Sequence, residues 1–330
     1  MNTRLRCALV GLGQQATRFA TDAASAHRAV ICAAASADRE RAAKFAARFN
    51  LPLSGTYDEI LARPDIDAII IASPNDRHAP DALRAFAAGK HVLVEKPMAL
   101  TTADGETMIN TARAAKRSLV VGFHLRHRPA IVCARALIVG GAIGILRFIE
   151  AQWATGMPGG SLPELPVHEQ WREDLSRSGG GAIMARGVHL IDMVRFLTGD
   201  EITALTGMTN ALLGGVDQNA AAIVRLGTAD AVIMTSRLLP FPLNEVRVFG
   251  TAGMIRITGA LTSAREEAVE RITADGKKIQ TFSATARYAD ELDEFAAYVA
   301  GEPTTIATGA DGLMAIRAVN AWQRSRPLSL

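Results

Sequence analysis

Cysteine is scarce in this chain of 330 residues, which contains only three. They are Cys7, Cys32 and Cys133, which is an odd number, and no two of them form a C-x-x-C pair. This usage argues against a disulfide framework and against a zinc site, and it fits a reducing compartment. His124 and His127 are three residues apart, but no third ligand accompanies them. We therefore predict that the protein binds no metal.

Charge of one sign and long apolar runs are also lacking. The formal net charge is +3, and the one basic cluster is HLRHRP at 124–129, so we expect no nucleic-acid partner. The most apolar run, ALIVGGAIGIL at 136–146, is shorter than the roughly 20 residues that span a bilayer. The N-terminus runs into a predicted strand without signal-peptide features. We expect no membrane partner and a cytoplasmic location.

The composition that remains is that of a globular protein with a large core. Hydrophobic residues make up 49% of the chain and charged residues 21%, a balance that disordered chains do not have. At roughly 150 residues per domain, the length predicts about two domains.

The first third of the chain alternates short apolar runs with longer, alanine-rich helical patterns. The apolar runs are LRCALVGLG, RAVICAAAS, DAIIIASP, KHVLVEKP and SLVVGFH. Continuous apolar strands between helices are typical of a parallel sheet covered on both faces. The pattern predicts an α/β fold, with a doubly wound Rossmann domain over residues 1–122.

After residue 122 the pattern changes. A helical stretch near 130–140 and an apolar strand lead into a Gly/Pro-rich loop, a glycine run and another helix. Residues 202–285 are mostly strand-like, with hairpins predicted in AAAIVRLGTADAVIMTSRL and NEVRVFGTAGMIRITG, and two helices end the chain. The pattern predicts an α+β domain with an antiparallel sheet over 123–330. We expect the C-terminal helix to pack back on the first domain.

The segment GLGQQA is the first candidate site. It follows a predicted strand and opens a helix, with Gly11, Gly13 and Ala16 in a G-x-G-x-x-A pattern. Gly11 permits the tight turn, Gly13 lets a pyrophosphate approach the backbone, and Ala16 lets the helix pack closely on the sheet. The helix N-terminus then offers N–H groups to the phosphates. We predict a dinucleotide site that includes Gln14 and Gln15.

The end of the second strand bears on the choice of nucleotide. NAD sites usually have an acidic residue there, which accepts hydrogen bonds from the ribose. Here the strand ends AAASADRER, with Ser36 and then Arg39. The small residues leave room for a 2′-phosphate that Arg39 would neutralise. This favours NADP, with NAD as the alternative; Arg39 as a solvated helix residue is the competing interpretation.

Further motifs extend over nearly the whole chain. They are SPNDRH at 73–78, EKP at 95–97, SGGGAIMARGVHLID at 178–192 and the closing TGADG helix. Together with GLGQQA, they resemble the oxidoreductase family of glucose–fructose oxidoreductase and inositol dehydrogenase (Gfo/Idh/MocA). The runs HLR at 124–126, WR at 171–172 and SADR at 36–39 resemble its 1,5-anhydrofructose reductase-like branch.

The resemblance implies a fold, an activity and several site residues. It implies a Rossmann domain, then a domain with a large open, mostly antiparallel sheet that carries the contact of a homodimer or homotetramer. It implies hydride transfer between NAD(P) and a small-molecule sugar- or polyol-like substrate. Lys96 is expected near the nicotinamide, a cis bond before Pro97, and His189 as the general acid/base. The cofactor contacts implied by the motifs are Ser73, Pro74, Asn75, His78, Glu95 and Lys96.

Position 185 departs from the family pattern, which has an aspartate where this chain has Ala185. Another carboxylate takes its place, or the substrate differs, or the chemistry is residual. The last case would make the chain an NAD(P)-binding sensor or regulator, and a dihydrodiol-like substrate is a further alternative. The candidate substrate residues are His124, Arg126, Trp153, Trp171, Arg172 and Asp192, each of which has a structural role as its competing interpretation.

Overall fold

The computed structural model describes residues 4–159, 162, 164–213, 215–227, 229–262, 266–283 and 287–325. Within them the chain divides into two compact units. The first unit consists of residues 4–124 and 287–316, and the second of residues 125–283 and 317–325.

Strands and helices alternate in the first third of the chain, and strands dominate the second unit. The strands are β1 Leu5–Val10, β2 Ala29–Ala35, β3 Leu53–Gly55, β4 Ala68–Ile71, β5 His91–Glu95, β6 Leu119–Gly122, β7 Leu146–Ala154, β8 Ile202–Leu213, β9 Val216–Leu226, β10 Ala229–Ser236, β11 Glu245–Gly250, β12 Gly253–Thr258, β13 Glu266–Thr273 and β14 Gly276–Ser283. The α-helices are α1 Gln14–Asp22, α2 Arg39–Arg48, α3 Tyr57–Leu61, α4 His78–Ala87, α5 Thr102–Ala114, α6 Pro129–Val139, α7 Leu175–Ser178, α8 Val188–Thr198, α9 Arg287–Val299 and α10 Gly309–Arg324.

The first unit is built on a parallel sheet in the order β3-β2-β1-β4-β5-β6. Its central strands are buried, as the continuous apolar runs predict. The strand order reverses between β1 and β4, and in doubly wound sheets ligands bind outside the carboxyl ends of the strands at this point. The predicted Rossmann fold is confirmed.

Helix α9, the first of the two helices that end the chain, belongs to the core of the first unit. Tyr288, Leu292 and Phe295 are buried in the same apolar cluster as Phe19 of α1. The rings of Phe19 and Tyr288 lie 4.7 Å apart between centroids. The helix therefore packs beside α1 in the apolar core of the first unit.

The second unit is built on a sheet of eight strands in the order β14-β13-β12-β11-β7-β10-β9-β8. Strands β7 and β10 are parallel, and the other neighbours are antiparallel. The predicted α+β domain with a mostly antiparallel sheet is confirmed, as are the hairpins β9–β10 and β11–β12.

The large sheet has a covered face and an exposed face. Burial alternates along β9, as expected of a sheet covered on one side. Helices α6 and α8 contact strands of this sheet, while Met208 and Ile223 are 60% and 55% exposed. In the described part of the chain, no helix is both long and apolar enough to cross a membrane.

Candidate active site

The turn between β1 and α1 has the backbone geometry that a dinucleotide needs. Gly11 has a φ of +83°, and a Cβ there would lie 2.2 Å from the backbone N of Ser73. A Cβ on Gly13 would meet no described atom within 4 Å, and no described side chain caps α1. Ala16 is fully buried. The space beside Gly13 at the start of α1 is therefore open, which fits a pyrophosphate at this turn.

Gln15 connects α1 to the end of β5. Its Nε2 donates to Glu95 Oε1 at 3.0 Å and to the Tyr288 hydroxyl at 3.2 Å. The backbone N of Lys96 donates to Glu95 Oε2 at 3.2 Å. Burial raises the pKa of Glu95 and, with the nearby Glu95 carboxylate, raises the pKa of Tyr288 to about 12. Glu95 thus ties the glycine turn to the backbone that carries Lys96.

His78 joins two turns that the motifs assign to the cofactor. Its Nδ1 lies 2.7 Å from Pro97 O, and its Nε2 lies 2.8 Å from Ser73 O. Burial lowers the pKa of His78, and a neutral imidazole donates through one nitrogen only. The Lys96–Pro97 bond is cis, as the resemblance implies. His78 therefore lies between the EKP turn and the turn at Ser73, and in its neutral form it donates a hydrogen bond to one of them.

The SPNDRH turn is itself held in place by α4. Ser73 Oγ donates to Asp81 Oδ2 at 2.9 Å, and Arg77 pairs with the same carboxylate at 2.9 Å. Pro74 precedes a short 3₁₀ turn that begins at Asn75. This turn follows β4, at the carboxyl edge where the strand order reverses.

The end of β2 carries Ser36 and Arg39. The Ser36 hydroxyl accepts a hydrogen bond from Asp38 N at 3.2 Å, and Asp38 caps α2. Arg39 Nη2 pairs with Glu59 Oε1 at 2.5 Å, and these two side chains are 66% and 47% exposed. An ion pair this exposed contributes little free energy, so Arg39 is able to leave Glu59 for another anion.

Arg41 also reaches the glycine turn, and sequence reasoning missed it. Its Nη2 donates to Leu12 O at 2.9 Å. A basic residue in the first turn of a helix gives no local signal of such a contact. Tyr288, which binds Gln15, was missed as well, because it lies more than 270 residues away in the chain.

The glycine run before His189 passes closely beside β9 in the second unit. A Cβ on Gly181 would lie 1.9 Å from Asp217 O. The Asp217 carboxylate accepts from Gly181 N at 2.8 Å and from Ile183 N at 2.7 Å. Residues Ile183–Gly187 then form a π-helical turn that leads into α8. Such turns are frequent at functional sites, and Ala185 lies within this one.

His189 is buried in the first turn of α8. Its ring packs against the indole of Trp153 with centroids 5.3 Å apart. Trp153 is near the end of β7 and is only half-buried. Imidazole and indole together make a surface that suits a sugar, because the aromatic ring offers an apolar face and the imidazole a titratable nitrogen.

Two candidate substrate residues bind each other. Arg126 Nε donates to Asp192 Oδ2 at 2.9 Å, and Arg126 Nη2 to Asp192 Oδ1 at 2.6 Å. Both side chains are less than a tenth exposed. Arg126 therefore neutralises the carboxylate of Asp192, which lies on α8, the helix that also carries His189.

The other candidate substrate residues fall into separate groups. Arg172 stacks on the Trp171 ring at 4.7 Å and pairs with Glu169 at 3.3 Å, all within a 3₁₀ segment, Val167–Glu173. In the first unit, the ring of His124 lies 5.4 Å from that of Tyr288. In the described residues, no group of three His, Cys, Asp or Glu side chains is placed to hold a metal ion.

Comparisons with known proteins agree with this geometry. Residues 5–123 match the GFO_IDH_MocA model of an oxidoreductase family with an NAD-binding Rossmann fold. Residues 131–256 match the model of the GFO/IDH/MocA C-terminal domain. The aldose-aldose oxidoreductase of Caulobacter crescentus, solved with glycerol, has a TM-score of 0.87 at 27% identity, over 99% of this chain and 100% of that chain.

Two sequence relatives cover most of the chain. A 1,5-anhydro-D-fructose reductase of Ensifer adhaerens is 29% identical over 324 residues, 94% of this chain and 93% of that protein. The oxidoreductase YrbE of Bacillus subtilis is 31% identical over 287 residues, 83% of this chain and 80% of that protein. The resemblance stated from the motifs is confirmed, and the chain belongs to the GFO/IDH/MocA family of oxidoreductases.

Proposed function

We propose that the protein transfers hydride between a bound nicotinamide dinucleotide and a sugar- or polyol-like carbonyl/alcohol pair. The observation that carries this substrate class is the buried His189 ring against half-buried Trp153. The reductase from Ensifer adhaerens and the aldose-aldose oxidoreductase both act on sugars by their names, which supports the same class here.

The chain's own residues supply the proton and hold the charge, while the nicotinamide supplies or accepts the hydride. In the direction of reduction, His189 donates a proton to the oxygen of the carbonyl group. Histidine is the side chain best suited to exchange a proton near neutral pH. The ammonium of Lys96, the other catalytic residue that the resemblance implies, is suited to stabilise the negative charge that develops on a reacting oxygen. In the direction of oxidation, His189 accepts the proton of the hydroxyl group.

NADP is the cofactor that the end of β2 favours. The last residues of β2 are small, and the first acid after it, Asp38, is engaged as the cap of α2. Arg39 sits on the next turn with an exposed and weakly held partner, Glu59. A 2′-phosphate placed there would gain a guanidinium partner, whereas the ribose hydroxyls of NAD would lack the usual acid.

We also propose that the protein is a cytoplasmic homodimer or homotetramer. The cysteine usage supports a reducing compartment. The exposed Met208 and Ile223 on the large sheet support an association through that face, since exposed apolar residues on neighbouring strands are typical of interfaces.

Fluorescence titration followed by turnover tests the proposed function. We expect the full-length protein to bind NADPH more tightly than NADH, and Arg39→Ala to reduce this preference about tenfold through loss of a charge-assisted contact. His189→Asn is expected to lower turnover on a sugar and polyol panel by about 10²–10⁴-fold. Its affinity for NADPH should be nearly unchanged.

Two outcomes would contradict these expectations. Cofactor binding without hydride transfer to any member of the panel would favour the sensor alternative. A preference for NADH would be consistent with the same enzyme class but would contradict the role of Arg39 as the partner of a 2′-phosphate.

A further inference from the structure

Three arginines of the second unit converge near the carboxyl end of β7. Arg186 lies in the π-helical turn, Arg172 in the 3₁₀ segment before it, and Arg237 directly after β10, which pairs with β7. Burial and the positive charges of Arg237 and Arg172 lower the pKa of the Arg186 guanidinium to about 10. Arg186 is therefore a partly desolvated cation with the two cations Arg172 and Arg237 nearby.

The charges of this cluster do not balance. Arg172 pairs with Glu169 at 3.3 Å, and Arg237 pairs with Glu173. No carboxylate of the described residues lies within ion-pair distance of Arg186. A desolvated charge without a counter-ion costs free energy, and such costs concentrate at functional sites. Of the three arginines, Arg172 and Arg237 have a carboxylate partner and Arg186 has none among the described residues.

Arg186 lies on the same side of β7 as the imidazole of His189. Its Nη2 donates to Thr155 Oγ1 at 2.5 Å, and Thr155 N continues the ladder to Ser236 O at 2.9 Å. Side chains two residues apart on a strand share a face and are separated by about 7 Å. Trp153, which packs on His189, and Thr155 are such a pair. The guanidinium contacts one member of this pair and the imidazole packs on the other, so both groups face neighbouring positions at the end of β7.

We infer that the substrate is an anionic sugar or cyclitol whose carboxylate or phosphate ester binds Arg186 while its reacting carbon faces His189. This inference rests on the proposed function. The planar guanidinium matches either oxyanion in a bidentate pair, and Ala185 beside it offers no negative charge to repel the ligand. The anionic group takes no part in bond making and stays bound to Arg186 through the hydride and proton transfers.

Hexoses that differ only at carbon 6 distinguish a preference for a carboxylate, a preference for a phosphate ester and no preference for an anion. We would measure binding and kcat/KM of the NADPH- or NADP-saturated full-length protein with D-glucose, D-glucuronate and D-glucose 6-phosphate. We expect one of the two acids to exceed D-glucose by about tenfold or more in affinity, and the better acid identifies the anionic group. Failure of both acids to bind more tightly than D-glucose overturns the inference.

Variants of Arg186 connect the preference to the site. Arg186→Gln should reduce the ratio of acid to D-glucose affinity about tenfold, and Arg186→Lys, which keeps the charge, should lose less. Arg147→Gln is the matched control, because Arg147 is exposed at the start of β7, eight residues before Thr155 and thus about 26 Å from it along an extended strand. A ratio that is insensitive to Arg186→Gln in a folded variant contradicts the inference.

The test distinguishes this inference from the function on which it rests. Hydride transfer to D-glucose without any preference for the acids supports the proposed function and contradicts the inference that the substrate is anionic. Tighter binding of an acid that depends on Arg186, without hydride transfer to or from these hexoses or any member of the sugar and polyol panel, supports the anion site and contradicts the proposed function.

Discussion

Single buried residues set part of the response of this protein to pH. His127 is buried, and burial with the neighbouring Arg126 lowers its pKa to about 3. Its folded pKa is depressed below the unfolded value of about 6.5, so the unfolded state binds more protons below that pH. The stability that neutral His127 provides is thus present above pH 6.5 and is lost progressively as the pH falls.

We expect His127→Gln to weaken this acid sensitivity. One pH unit within the window is worth up to about 1.4 kcal/mol, so between pH 7 and pH 5 the thermal midpoint of the wild type should fall several degrees further than that of the variant. The exposed His27 allows a control variant, His27→Gln, which should behave as the wild type does. Parallel pH profiles of His127→Gln and wild type would rule out this role.

The identity of single site residues was predictable where a local pattern carries it, and not where the contact is long-range. Gly11 and Gly13 follow from the turn that the chemistry needs. Asp217 does not, because its partners are two backbone N–H groups 34 and 36 residues earlier in the chain. Only the packing of β9 against the glycine run brings these groups together.

At the scale of elements, the turn from β1 to α1 separates a glycine needed for folding from one needed for binding. At Gly13 a Cβ enters open space, and its φ of −99° is allowed for alanine. Gly13→Ala should therefore keep the thermal midpoint of the apo protein but lower the affinity for NADPH about tenfold, since the methyl group occupies the approach of the pyrophosphate.

Gly11→Ala is the matched variant, with the opposite expectation. Its Cβ would overlap the backbone of Ser73, and its φ of +83° disfavours alanine by about 1–2 kcal/mol. We expect a lower thermal midpoint of the apo protein, measured side by side with Gly13→Ala. An unfolded Gly13→Ala, or a Gly11→Ala as stable as the wild type, would reverse the assignment.

Long, regular elements were predictable, and short or irregular ones were not. The parallel strands and their alanine-rich helices follow from continuous apolar runs between helical patterns. β3 has three residues and α3 has five, which is too short for a period to show. The π-helical turn Ile183–Gly187 begins at a residue whose backbone N donates to Asp217, a long-range contact that no local pattern shows.

For the whole molecule, the sequence pattern predicts two folds but not which residues of the last two helices belong to each unit. Helix α9 follows the large sheet in the chain, yet it packs in the core of the first unit. Its buried face carries ordinary apolar residues that suit either unit. The order of strands in the large sheet, with β7 between β11 and β10, is likewise set by tertiary pairing and leaves no local trace.

The oligomer is the property of the whole molecule that a single substitution tests. Ile223 is 55% exposed on β9, diagonally across from Met208 on β8, whereas Val139 is 66% exposed at the end of α6. We expect Ile223→Lys to reduce the mass measured by size-exclusion chromatography with light scattering to that of the 35.0 kDa chain, because an unpaired charge in an apolar interface is costly. Val139→Lys should leave the oligomer intact. A wild-type protein that already has the mass of one chain, or an Ile223→Lys variant with an unchanged mass, would show that this face of the sheet does not hold copies of the chain together.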